Sequence, residues 1–217
     1  MPVPLRDDKV PFCQGLSAII KRDFLNTARN PMVVKSRIVM SIVLGLFIGG
    51  VYWKIGSNYV NATNPNVRTV DFMTLSGLLF FLSMTSFMSS LSPVSIVFPK
   101  ERVVFLKEEG ARLYSTWMFF LSRNIVEMPF LVIIPLLMAV IFYWMIGLAN
   151  TAVQFFTFYF VFFLISFAGN SMGLLLGSAI SDAKLITVLM PIMILPFVLF
   201  SGFFKNRDDL PNWLFWL

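Results

Sequence analysis

Histidine is absent from these 217 residues, and cysteine occurs once, as Cys13. The first absence removes histidine-based triads, histidine metal sites and imidazole acid–base chemistry, and no metal centre is expected. The second removes any disulfide framework within one chain, and a lone thiol beside a basic segment is more often inert than catalytic. Charge is also scarce. Asp, Glu, Lys and Arg make up 13% of the sequence against a hydrophobic fraction of 58%. A soluble domain could not cover that much apolar surface with so few charges. The net charge of +6 does not point to nucleic acid, because the bases sit at the ends of apolar runs and form no continuous basic face. Topology and lipid headgroups explain them better. Residues 1–12 carry prolines and charges but no apolar core, so they do not read as a signal peptide.

What the chain has instead is long uncharged stretches. The longest lies between Glu127 and Asp182, with Phe155-Phe156, Phe158-Tyr159-Phe160 and Phe162-Phe163-Leu164 inside it. A bilayer core ~30 Å thick needs about 20 apolar residues per helix, so this stretch suits two crossings. Gly147-Leu148-Ala149-Asn150 supplies the turn between them. The sequence predicts an all-α polytopic membrane protein. A segment over residues 1–14 precedes an amphipathic helix over 15–30, and a membrane domain over 31–217 follows. Spans are expected at about 38–54, 72–98, 124–146, 152–180 and 185–204, with a charged cytosolic helical segment over 100–112. In the amphipathic helix, Leu16, Ile19, Ile20 and Phe24 recur at helical spacing while Lys21, Arg22 and Arg29 occupy other faces. It reads either as a helix lying on the membrane surface or as a lever to something cytosolic.

The basic residues orient the chain. With the N-terminus cytosolic, the inner segments hold Arg6, Lys9, Lys21, Arg22, Arg29, Lys35, Arg37, Lys100, Arg102, Lys107, Arg112, Arg123 and Lys184. The outer side keeps only Lys54, Arg68, Lys205 and Arg207, as the positive-inside bias requires. Asn61-Ala62-Thr63 is a glycosylation sequon in the loop assigned outside, which makes Asn61 a candidate acceptor. Five spans would leave the C-terminus outside. The chain stops in the interfacial aromatic stretch Trp213-Leu214-Phe215-Trp216-Leu217, and a fragment is expected.

Within the spans, Ser83, Ser86, Ser89 or Ser90, and Pro93 form a polar stripe on the second helix, beside a soft apolar stripe of Phe81, Met84 and Met88. In lipid such a stripe faces other helices or a cavity, and both readings stay open. Gly169, Gly173 and Gly177 make a groove of small residues on the fourth span that suits close helix packing. Asn170 on the same span should find an interhelical partner, because an unmet amide in hydrocarbon is costly. Prolines 129, 135, 191 and 196 predict kinks. No span carries a central ionisable residue, which argues against a proton-coupled carrier or an intramembrane aspartyl protease.

Several short motifs occur in a set order. Arg29-Asn30-Pro31 closes the first helix. Phe98-Pro99-Lys100-Glu101-Arg102 leads to Phe105-Leu106-Lys107-Glu108 and Tyr114, and then to Glu127-Met128-Pro129-Phe130. Gly173-Leu174-Leu175-Leu176-Gly177 precedes Pro191, Pro196 and Phe200-Ser201-Gly202-Phe203-Phe204. In this order the chain resembles, from Phe12 onward, the membrane domain of the ABC transporter G subfamily, the White-type half-transporters. The resemblance implies an ATP-driven exporter of lipids, sterols or hydrophobic xenobiotics, working as a homodimer or heterodimer among membrane lipids. It implies that 15–30 is a connecting helix and that Glu101, Arg102 and Glu108 belong to a coupling segment. It also implies a cavity lined by Phe81, Met84, Thr85 and Met88 with Ile194, Leu195, Val198 and Leu199, closed by a plug at Phe203 and Phe204.

The sequence departs from that pattern in two ways. No Gly-x-x-x-x-Gly-Lys-Ser/Thr loop occurs, so this chain is expected to bind no cofactor itself, and ATP and Mg would belong to a nucleotide-binding domain on the same longer chain or a separate one. The family's sixth helix is likewise not reached. Two other readings stay open: a non-transporting membrane scaffold of the same ancestry, and a polysaccharide-exporting ABC permease.

Overall fold

The computed structural model describes residues 12–29, 31–57, 65–111, 113–148 and 151–199. Asn61, Phe203 and Phe204 lie outside them. Within these residues the order is α1 (Phe12–Arg29), α2 (Pro31–Val51), α3 (Pro65–Gly110), α4 (Thr116–Ile146), α5 (Ala152–Ala179) and α6 (Ala183–Leu199), with no strand. Proline opens α2 and α3, where its missing amide hydrogen costs nothing. Gly147 ends α4 in the left-handed region, at φ 72°, and its amide returns to the carbonyl of Tyr143. That conformation is the one glycine tolerates best.

Four helices, α2 to α5, are long and apolar enough to cross a membrane, and α6 is a shorter apolar helix of 17 residues. Large apolar side chains face outward along them, including Val39, Val43, Phe47, Trp144, Phe156, Phe160 and Leu164. Only hydrocarbon accommodates such a surface without penalty. The chain is an all-α integral membrane protein.

Helix α3 packs along α5, while α1 and α2 pack on α4, which leans on α5; α6 lies mainly against α3. Two apolar clusters hold the bundle. Ile48, Leu78, Leu82, Met138, Phe142, Ile146 and Phe162 join α2, α3, α4 and α5. Leu91, Leu176, Ile186, Met190 and Ile194 join α3, α5 and α6.

Three expectations change. The charged segment is no separate helix, because α3 runs 46 residues through Pro93 and Pro99 to Gly110. At 1.5 Å per residue that is about 69 Å, more than twice the ~30 Å hydrocarbon core. Each proline removes one backbone bond, but the Lys, Glu, Arg and Leu that follow Pro99 favour helix, so the rod continues. Helix α4 begins at Thr116, well before Asn124, and carries Arg123 inward. In α1 the expected faces are partly exchanged: Ile19 is buried, but Phe24 is exposed and Arg22 turns toward α3. Arg22 keeps 48% of its side chain exposed while its guanidinium reaches Glu108.

Candidate functional site: an interhelical charge network

The glycine stripe brings α5 onto α3 closely enough to decide what lies between them. A methyl group on Gly169 would come 2.6 Å from the Phe87 carbonyl oxygen, and on Gly173 2.9 Å from that of Leu91. Beside this seam Ser86 and Ser166 hydrogen-bond at 2.9 Å, both fully buried. Other hydroxyls on α3 bond back to their own helix, Ser83 to Leu79, Ser89 to Ser86 and Ser95 to Leu91. At Ser86 and along the glycine stripe, packing is what the residues do.

The residues named for a cavity fall into two groups. Met84, Met88 and Val198 pack around the cluster that contains Ile194, so they join α3 to α6 within one chain. Phe81, Leu195 and Leu199 face outward, at 54%, 59% and 45% exposure. Thr85 lies one turn from Phe81 and donates to its carbonyl. The eight thus divide between a helix–helix contact and an outward face.

Two of the three coupling candidates, Glu101 and Glu108, sit in a dense charged region where α1, α2, α3 and α4 converge. Glu101 of α3 pairs with Arg123 of α4 at 3.0 Å. Arg123 also reaches Glu127 at 3.7 Å, one turn along its own helix, and Glu127 takes Arg37 of α2 at 3.3 Å. The order Arg37, Glu127, Arg123, Glu101 alternates in sign and sums to zero. This is how a low-dielectric interior tolerates four ions. The Arg37 guanidinium also lies 5.5 Å from the Phe130 ring centre.

Nearer the end of α3, Glu108 accepts from Arg22 of α1 at 2.8 Å and from the Tyr114 hydroxyl. Asp23 accepts from Ser122 of α4 at 3.2 Å. Burial works against the charged form of Arg22, but hydrogen bonds to Asp23, Tyr114 and Glu108 outweigh it and hold its pKa above the ordinary value. Burial first, and then the bond to Glu108, push the Tyr114 hydroxyl up to about 12. Arg102 departs from the group and donates to Ser181 in the turn between α5 and α6, at 3.3 Å.

Sequence reading had missed Arg22, Asp23, Arg37, Tyr114, Arg123 and Glu127 as members of one network. The available signal was the pair Arg123 and Glu127, four residues apart at the start of an apolar helix. Chemically the arrangement holds no nucleophile and no phosphate cradle. It is a set of ion pairs that fixes four helices to one another.

Comparison with known proteins adds the ancestry. The family model described as ABC-2 type transporter matches residues 14–217. The chain is 31% identical over 210 residues to ABC transporter G family member 1 of Dictyostelium discoideum, covering 94% of this chain and 25% of that protein. It is 30% identical over 201 residues to Protein white of Drosophila melanogaster, covering 92% and 28%. Against the broad substrate specificity ATP-binding cassette transporter ABCG2 of Mus musculus the identity is 28% over 207 residues, covering 95% and 30%. The chain thus spans between a quarter and a third of the length of these relatives.

Proposed function

The chain belongs to the ABC-2 type transporter family, and from that premise we propose that it is the membrane-spanning part of an ATP-driven exporter for lipids, sterols or hydrophobic xenobiotics. Its partners would be a second half-transporter, identical or different, and a nucleotide-binding domain that carries ATP and Mg. No phosphate loop occurs in these 217 residues, so no step of hydrolysis runs through them.

One observation carries this reading. Helix α3 continues unbroken from the membrane into the charged segment, where Glu108 is bound to α1 and Glu101 to α4. A push on the end of such a rod is passed to its membrane half, with Pro93 and Pro99, where one backbone bond each is missing, as the points at which it can bend. The outward-facing Phe81, Leu195 and Leu199 suit a cavity completed by a second protomer. That cavity has no ion to offer, so it fits neutral apolar cargo.

The test is Glu108→Ala in the complete transporter. Transport should fall while ATP hydrolysis and substrate binding persist, since Glu108 lies far along α3 from Phe81. Loss of binding with coupling intact would assign Glu108 a different role.

A further inference from the structure

Among the described residues, buried side-chain atoms without a hydrogen-bonding partner belong to only four residues: Arg37 Nε, Glu101 Oε2, Arg123 Nε, and both Oδ1 and Nδ2 of Asn170. These four also line three cavities that share walls with one another. The first, about 260 Å³, lies between α1, α3 and α4 and is walled by Asp23, Glu101, Tyr114 and Arg123 among others. The second, about 180 Å³, shares Asn26, Thr27, Glu101 and Arg123 with it and adds Arg37 and Glu127. The third shares Arg37, Glu127 and Phe130 with the second and reaches Ser89, Ser90, Leu131 and Asn170. It leaves about 10 Å³ for the centre of a water-sized sphere, enough for one molecule.

Orphaned polar atoms and a series of adjoining cavities coincide here. Asn170 is 1% exposed, so neither lipid nor a second protomer can reach its amide. Apolar ligands offer nothing to an amide, and the innermost space is too small for a lipid chain. A water beside Asn170 would find partners in the amide, Ser89, Ser90 and Glu127, within the two to four that buried waters use.

We propose that a file of water enters the helix bundle from the α1 side, hydrates the Glu101–Arg123–Glu127–Arg37 series and ends on Asn170. The ligand of this site is water itself. Hydration of this kind satisfies donors and acceptors at close to the value of direct bonds. It also lets these four ions change partners without passing through a dry state when the helices shift.

The experiment is hydroxyl-radical footprinting by water radiolysis, on the full-length protein in lipid nanodiscs. Leu131 lines the inner cavity, whereas Leu82, also buried, packs in the apolar cluster of α2 to α5. Leu131 should be oxidised several-fold faster than Leu82, and Asn170→Leu should bring it down toward the Leu82 rate. Equal, slow oxidation of both leucines in the native protein would overturn the water file. Fast oxidation of Leu131 that Asn170→Leu leaves unchanged would overturn Asn170 as its end. If Asn170→Leu fails to fold, the comparison within the native protein still decides the file.

Discussion

Glu127 shows how one side chain sets the character of a site. It is buried and lies within 3.7 Å of two guanidinium groups. Removing it strips Arg37 of its carboxylate partner and leaves Arg123 with Glu101 alone. Breaking a buried pair in this way typically costs about 3–5 kcal/mol, against ~0–1 kcal/mol for a surface charge. Glu127→Ala should therefore lower the thermal unfolding midpoint in detergent markedly, while Lys35→Ala, on an exposed position, should leave it nearly unchanged. Equal midpoints for the two variants would mean that the network is not a stabilising joint. From sequence, Glu127 is only an acid near a span boundary. Its partners come from α2 and from four residues back on α4, and only the second is visible in the linear chain.

The glycine stripe argues the same point for a whole element. Close approach of α5 to α3 depends on positions 169, 173 and 177, and at 169 and 173 the obstacle is backbone, which cannot swing aside. Gly169→Ala should separate the helices and cost about 1–3 kcal/mol, as overpacking usually does. Gly50→Ala meets nothing within 4 Å and should be neutral or stabilising by up to ~1 kcal/mol, since alanine is the better helix former. The midpoint difference between these two variants measures the seam directly. Periodicity alone indicated that the stripe is a packing surface, because three glycines four apart share one helix face. It did not indicate that α3 is the partner or that Ser86 and Ser166 seal the contact.

For the whole molecule, orientation and the exposed cavity face make the sharpest claims. A cysteine at Lys107 should stay unlabelled by an impermeant reagent applied outside intact cells, and Asn61 should carry a glycan or be reachable from outside. Labelling of Lys107→Cys from outside would reverse the topology. A charge at the outward-facing Phe81 should lower substrate-stimulated ATPase activity and transport in the assembled transporter, with membrane insertion intact. A charge at Phe160, which is also exposed but on α5, should impair insertion, since an acid at a helix centre costs about 2.5–3.5 kcal/mol there. Met88→Asp should differ from both by loosening α6, because Met88 packs at the α3–α6 cluster. Normal transport by Phe81→Asp would make this face a packing surface and not part of a substrate path.

Sequence by itself determined the solvent of this protein and the packing face of α5. Uncharged runs near 20 residues leave no other place to satisfy backbone and side chains than a bilayer. It also marked the charged stretch after Pro99 as helical, and the helix runs there as far as Gly110. What it could not determine was which charges meet. Arg22 and Glu108 are 86 residues apart, and Arg37 and Glu127 are 90 apart. Such pairs form only once α1 and α2 have packed on α4 and α3 has continued past its two prolines. Tertiary structure alone decided that Met84 and Ile194 pack at the α3–α6 cluster while Phe81 and Leu195 look out. The two sets sit on the same pair of helices, and only which side of each helix meets the other separates them.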